Sequence, residues 1–333
     1  MSEIDEIQQE GAAENLRAKP PCLIGVSYGT YGHPEQLADA PYCAPNGEYQ
    51  ASIDNLRFRL KFRRDGGEWL KDHVDTFTCC DVSRSFTGKV IPGRYLIVAN
   101  FGYDDGTGHA DTVTLGIGQI GGNSKINMHK GFLEFNPNKL VRHKQFHVLL
   151  QKIAEYVDRA ECVRFDFAVD VPMKRTDLMV VKDHRMYTYI RSNGITETLG
   201  RRLEPKFCRV YDKAAEQHIS ADLTRIEITC DGAWTIEGMA DAWPKVHSWR
   251  INDEKFNKAS AREYTAITAL AISEVGVLGG NVDMLISRLG RRSKAKVMSY
   301  LDSPYMEFPE EAAKYVLDRV RQWELLRYPI IKE

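Results

Sequence analysis

From Cys22 to Cys230 the chain is a succession of short segments in which apolar and polar residues alternate. They read CLIGVSY, LRFRLKF, DTFTC, RYLIVANF, DTVTLGI, GFLEFNP, RFDFAVDV, FCRVY and TRIEITC, separated by Gly, Asp and Asn clusters. Alternation at period two is the signature of strands with one buried face, and the punctuation marks the turns between them. One helix interrupts the series. Between Asn138 and Asp158 the apolar residues Leu140, Val141, Phe146, Leu149, Leu150, Ile153, Tyr156 and Val157 recur at helical spacing, with Pro137 just ahead of them. Strands on both sides of a packing helix define an α+β fold: a mainly antiparallel curved sheet covered by helices on one face, the other face free for a ligand.

After about Thr235 the pattern turns helical. SAREYTAITALAISEVG ends at a glycine, NVDMLISRLG ends at another, and PEEAAKYVLDRVRQWELL carries Pro and two acids in its first turn. The expected organisation is an acidic tail over residues 1–20, an α+β domain over 21–235 and a C-terminal helical subdomain over 236–333. No apolar run approaches the ~20 residues of a membrane span, and the first twenty residues lack the apolar segment of a signal peptide. The cysteines include the neighbours Cys79 and Cys80 but no CxxC pair, so neither a zinc site nor a disulfide framework is expected, and a reducing cytoplasm is.

The formal net charge of −1 excludes bulk electrostatics as an argument for a nucleic-acid partner. Local patches have to carry it. In LRFRLKFRR, Arg57, Arg59, Lys61 and Arg63 alternate with Leu56, Phe58, Leu60 and Phe62, a strand with one apolar and one cationic face. Same-face residues recur about every 6.6 Å, close to the phosphate repeat of an extended nucleic-acid strand. The alternative is a solvated face whose charges keep a sheet edge from aggregating. A second patch, Arg288, Arg291, Arg292, Lys294 and Lys296, crowds the start of a late helix.

RFDFAVDVP poses the chemical question. As a strand it puts Phe165, Phe167, Val169 and Val171 on one face and Asp166, Ala168 and Asp170 on the other. In TRIEITC, Arg225, Glu227 and Thr229 lie opposite Ile226 and Ile228; in KFCRVYDK, Phe207, Arg209 and Tyr211 share a face, followed by Asp212 and Lys213. One sheet face can therefore gather Asp166, Asp170, Glu227, Arg209 and Lys213, a set suited to Mg²⁺ or Mn²⁺ beside a phosphodiester. Asp166 and Asp170 are nonetheless about 13 Å apart on a flat strand, too far to share an ion. One aspartate and Glu227 are then the metal neighbours, unless the set is structural, for example an Asp170–Arg209 ion pair. HKQFH places His143 and His147 on one helical face, but Lys144 stands where a zinc hydrolase needs glutamate.

RFDFAVDV, GRRLEPKFCRVYDKAAEQ and TRIEIT, in this order and spacing, resemble the Rep_trans family of plasmid and phage rolling-circle replication initiators, related to some conjugative-element relaxases. FLEFNPNKL and IDNLRFRLKF look like its N-terminal part, and the resemblance covers roughly residues 50 to 235. It implies a protein that binds origin DNA, melts it locally and nicks one strand with a tyrosine, aided by Mg²⁺ or Mn²⁺. It implies Asp166, Asp170 and Glu227 as the acidic positions and Arg209, Tyr211, Asp212 and Lys213 as the second motif. The family's tyrosine aligns with Thr198, and its Gly-Ser-Arg with Gly200, Arg201 and Arg202. A threonine alkoxide is a far more basic leaving group than a phenolate.

YIRSNGITETL offers a substitute. With Asn193 and Gly194 as a two-residue turn, Tyr189 is expected opposite Thr198, so that Tyr189, with Tyr187 beside it, reaches the same site. Arg57, Arg59, Lys61 and Arg63 together with Arg201, Arg202 and Lys206 are expected to track phosphates. The C-terminal helices would supply specificity or a homodimer contact, and a host helicase is a further partner the resemblance admits. The alternative function is a DNA-binding or regulatory protein that keeps the initiator fold without the nucleophile.

Overall fold

The computed structural model describes residues 41–45, 47–77, 81–86, 94–104, 110–140, 143–192, 194–202, 204–248, 251, 253–259, 263–277, 285–286, 288–301 and 306–324. The expected tail over 1–20, the CLIGVSY strand and the pair Cys79 and Cys80 lie outside these residues, as does half of NVDMLISRLG.

The strands are β1 (Tyr42–Cys43), β2 (Gln50–Phe62), β3 (Asp81–Phe86), β4 (Tyr95–Asp104), β5 (Ala110–Ile120), β6 (Ile126–Phe135), β7 (Val157–Val171), β8 (Leu178–Val180), β9 (Tyr187–Arg191), β10 (Ile195–Leu199), β11 (Cys208–Asp212), β12 (Thr224–Asp231) and β13 (Val246–Ser248). All but β8 and β13 join one sheet in the order β3-β4-β5-β6-β2-β7-β12-β11-β10-β9, with β1 on β2. Its pairings are antiparallel, as expected. β8 and β13 form a separate two-stranded sheet.

The helical stretch after Pro137 is shorter than its periodicity indicates. Helix occupies Pro137–Leu140 (α1) and Lys144–Ala154 (α2), while Val157, expected in the helix, begins β7. The thirteen-residue β2 explains the change: β7 pairs along almost its whole length, from Gln50↔Asp170 to Phe62↔Val157. That ladder satisfies backbone groups the helix would otherwise have claimed. DTFTC is likewise no strand at its start, since Val74–Thr76 form a 3₁₀ turn.

One face of the sheet carries the core. Ile53, Leu56, Phe58 and Leu60 of β2, Phe165, Phe167 and Val169 of β7, and Ile226 and Ile228 of β12 are buried there. α2 contributes Phe146, Leu149, Leu150 and Ile153, and a late helix, α3 (Glu310–Glu324), contributes Ala312, Ala313, Val316, Val320 and Trp323. Trp323 sits edge-on to Phe135, ring centroids 5.2 Å apart, and so ties the C-terminal helix to β6. Each such aromatic, truncated to alanine, costs about 3–5 kcal/mol. A smaller cluster of Ala269, Ile272, Ile286, Val297 and Leu301 forms among the other late helices. Among the described residues no helix is long and apolar enough to cross a membrane.

Candidate functional site

Cross-strand register sets what the free face of the sheet displays, because directly opposed residues share a face. One row runs Gln50, Asp170, Arg225, Tyr211, Thr196; the next runs Ser52, Ala168, Glu227, Arg209, Thr198, Thr188; a third begins Asn55, Asp166, Thr229. Asp166, Asp170, Glu227, Arg209 and Tyr211 are therefore brought together on the face opposite the core. Lys213 follows directly: Asp212 caps the short helix 213–217 by accepting from the Ala215 N–H at 2.9 Å.

The register also brings in Asp54, which the sequence reading passed over. β2 slips register against β7 between Ile53 and Asn55. The slip is a β-bulge, which re-aims a side chain. Asp54, next after the core residue Ile53, lies on the carboxylate face with Oδ1 3.0 Å from Arg225 Nη1 and accepts from Asn136 Nδ2 at 3.1 Å, and the bulge adds Asn55 to that face. Apolar spacing recorded the bulge: Ala51 and Ile53 are followed by Leu56 and Phe58, one residue out of phase.

The ionic contacts are specific. Arg225 donates through Nε and Nη2 to the two oxygens of Asp170, both at 2.6 Å. Asp170 thus pairs with Arg225 and not with Arg209 as expected. Arg209 donates to Glu227 at 2.8 Å, Tyr211 O–H donates to the same Glu227 oxygen at 3.4 Å, and the Arg209 guanidinium lies 4.2 Å over the Tyr211 ring. Thr229 Oγ1 donates to Asp166 at 2.8 Å.

Protonation follows from these contacts. Burial raises Asp166 and Glu227 above the ordinary carboxyl range, more than Thr229 and Arg209 respectively lower them. Burial works the same way on Asp54, but the cations Arg225 and Lys213 outweigh it and hold that carboxyl below its usual value. Burial also pushes the Tyr211 hydroxyl well up, the reverse of what a ready phenolate nucleophile requires.

Tyr189 and Tyr187 are elsewhere. Gly194, at φ +78°, closes a loop in which residues 192–194 separate the paired Arg191 and Ile195. A three-residue loop with glycine in the left-handed region replaces the expected two-residue turn. The pairing moves by one residue: Thr198 opposes Thr188, and Tyr189 opposes Glu197. A one-residue shift exchanges the faces of a strand. Tyr187 and Tyr189 consequently lie on the face away from the carboxylates. Tyr187 O–H donates to Glu197 at 2.6 Å, and Glu197 pairs with the buried Arg175, whose burial lowers it to about 10. Thr198 itself is on the carboxylate face, opposite Arg209.

The cationic ladder is partly matched by acids from neighbouring strands. Arg57 and Arg164 share Glu134, at 3.4 and 3.5 Å; Arg59 lies 3.7 Å from Glu161 and Lys61 2.8 Å from Asp158. Arg63 follows the end of β2 and donates its backbone N–H to the Tyr156 carbonyl. Cations still outnumber acids, because Lys130, Lys61 and Arg159 stand abreast on β6, β2 and β7, all exposed. Arg201, Arg202 and Lys206 are exposed beyond β10, Lys206 at φ +68° with its carbonyl accepting from Arg185 at 2.8 Å. Arg288, Arg291, Arg292, Lys294 and Lys296 are also exposed.

As a metal centre, the trio Asp166, Asp170 and Glu227 does not fit. Both Asp170 oxygens are taken by Arg225, and among the described residues no three acidic, His or Cys side chains are grouped to hold an ion. His147 and His143 belong to no such group either.

No family model matches the chain, and no curated protein does. Among solved structures it is similar to a rolling circle replication initiator protein from Geobacillus stearothermophilus, at 12% identity and a TM-score of 0.36, over 70% of this chain and 98% of that one.

Proposed function

We propose that this chain is a DNA-binding protein of the replication-initiator class. More particularly, we read it as one that holds a locally single-stranded stretch of origin DNA along the free face of its sheet without cutting it through Tyr187 or Tyr189. One observation carries the binding: Lys130, Lys61 and Arg159 lie directly abreast on three adjacent strands. Like charges opposed across strands destabilise a sheet. Of these three, Asp158 pairs with Lys61, and the remaining excess is explained by a polyanion held against the exposed cations. The resemblance of RFDFAVDV, CRVYDK and TRIEIT to initiators names DNA as that anion.

Metal-dependent nicking through a tyrosine is the more specific reading of that resemblance, and the geometry supports it less. The two candidate tyrosines face away from the carboxylates, threonine occupies the aligned position, and guanidinium groups already hold Asp170 and Glu227.

The test is fluorescence anisotropy with a labelled single-stranded oligonucleotide in EDTA, over a salt series. Affinity is expected to fall steeply with salt, and the triple variant Lys61→Gln, Lys130→Gln, Arg159→Gln to reduce the log–log slope by about 2. A flat salt curve, or a triple variant that binds like the parent, sinks the interface. A covalent adduct on supercoiled DNA with Mn²⁺, lost in Tyr189→Phe or Tyr187→Phe, restores the nicking reading.

A further inference from the structure

The carboxylates of the free face pose a problem of charge. Asp54, Asp166 and Glu227 act on one another electrostatically, Asp170 stands on the same face beside a buried arginine, and the expectation from motif chemistry is that a divalent cation balances them. The contacts describe a different balance for two of the four. Arg225 is buried, and three of its nitrogens are engaged: Nε and Nη2 with Asp170 at 2.6 Å each, Nη1 with Asp54 at 3.0 Å. The fork on Asp170 is the bidentate geometry that matches a guanidinium to a carboxylate. Asp54 is in turn fixed from its far side by the Asn136 amide at 3.1 Å. The chain of contacts thus runs from Asn136, just past β6, through Asp54 in the bulge of β2 and Arg225 of β12 to Asp170 of β7.

We infer that Asp54 and Asp170 are the two jaws of a clamp on Arg225, so that this guanidinium is their resident cation and neither carboxylate is available as a metal ligand. The clamp is a positioning device. Arg225 opposes Tyr211 in the sheet, and Tyr211 reaches Glu227, so the guanidinium fixes the floor on which Arg209 and Glu227 stand. A divalent ion at Asp170 would have to break its bidentate fork with Arg225, leaving that buried guanidinium with Asp54 alone. That outcome is costly in a low-dielectric interior. Alternation with the core residue Ile53 puts Asp54 on the face of Arg225, and the β2 bulge adds Asn55 to the same face, opposite Asp166. The clamp does not depend on whether DNA binds.

Free Mn²⁺ followed by electron paramagnetic resonance, with the full chain and no DNA, tests it. In the parent protein either no Mn²⁺ binds below millimolar concentration, or it binds with an affinity that Asp170→Asn leaves within twofold. Arg225→Met removes the resident cation and exposes two uncompensated carboxylates to any metal. It should gain at least tenfold in Mn²⁺ affinity, and adding Mn²⁺ should raise its thermal midpoint by more than the parent's. A parent Mn²⁺ site weakened tenfold or more by Asp170→Asn, in protein that circular dichroism shows folded, overturns the inference. If Arg225→Met does not fold even with Mn²⁺, the Asp170→Asn comparison still decides the matter. Loss of oligonucleotide binding with these Mn²⁺ results unchanged counts against the DNA reading and leaves the clamp standing.

Discussion

Asp170→Asn measures the worth of the Arg225 clamp directly. The substitution keeps size and shape and removes one charge. An asparagine oxygen can still accept from Nε or Nη2, but its amide then presents N–H groups to the other guanidinium nitrogen, donor against donor. Both partners are buried, Arg225 at 7% and Asp170 at 6% exposure, so water does not replace what is lost. Breaking a buried pair from one side costs about 3–5 kcal/mol. Asp54 still holds Nη1 at 3.0 Å, which places the loss near the lower end, about 3 kcal/mol. Urea unfolding should show the midpoint falling with the slope unchanged, and the thermal midpoint should drop by roughly 6–12 °C. The double variant Asp170→Leu, Arg225→Met should lose less than the sum of its single changes, because it leaves only Asp54 without its cation, and that carboxylate keeps the Asn136 amide. A cost below about 1 kcal/mol for Asp170→Asn, or strict additivity in the cycle, refutes the reasoning. Lys61→Met provides the contrast: its ion pair with Asp158 is more than half exposed, and the unfolding midpoint should not move measurably.

Asp166 has the opposite sign. Its folded carboxyl is raised by burial, so its contribution to stability is fully present below the unfolded value and lost as pH rises through the folded one. Asp166→Asn keeps an acceptor for Thr229 Oγ1 and cannot ionise; its urea midpoint should exceed the parent's at pH 8, by more than at pH 5. A gap independent of pH removes desolvation as the cause. Asp54, held low by Arg225, contributes stability above its unfolded value that is lost as pH falls through the folded one, so Asp54→Asn should flatten the acid limb of the stability curve below about pH 4. Gly194→Ala meets both a positive φ of 78° and Cβ atoms of Asp212 and Ala215 at 2.8 and 2.9 Å; a loss of about 2 kcal/mol in urea is expected, and a neutral result would refute the three-residue loop.

The sequence disclosed faces more readily than partners. From Phe165 to Val171 of β7, and in β11 and β12, the alternation is unbroken, so the placement of Asp166, Glu227, Arg209 and Tyr211 on one side was legible from period alone. Which cation meets which carboxylate was not. Arg209 and Arg225 stand on the same face of neighbouring strands, and only the register of β12 between β7 and β11 gives Asp170 to Arg225 and Glu227 to Arg209. The acids opposite the β2 ladder were hidden for the same reason, since Glu134 and Glu161 sit on strands far along the chain from Arg57 and Arg59.

Two single-residue irregularities then decided the chemistry. The phase slip between Ile53 and Leu56 was visible in the sequence, and read as a bulge it puts both Asp54 and Asn55 on the carboxylate face. The hairpin at Gly194 was visible too, but Asn-Gly fits both a two-residue turn and a longer loop with glycine in the left-handed region, and local propensity does not separate them. What separates them is packing. With the longer loop, Glu197 meets Arg175 and Tyr187 on the core-side face, while Thr196 and Thr198 face the carboxylates. The two-residue alternative shifts β9 by one position against β10, carrying Tyr187 away from Glu197 and taking a hydrogen bond from a carboxylate beside a buried guanidinium. That loss, on the order of 1.5–3 kcal/mol for a bond to a charged group, is enough to fix the register. The same choice turns the tyrosines away from the site, while the register of β10 on β11 sets Thr198 opposite Arg209 on the carboxylate face.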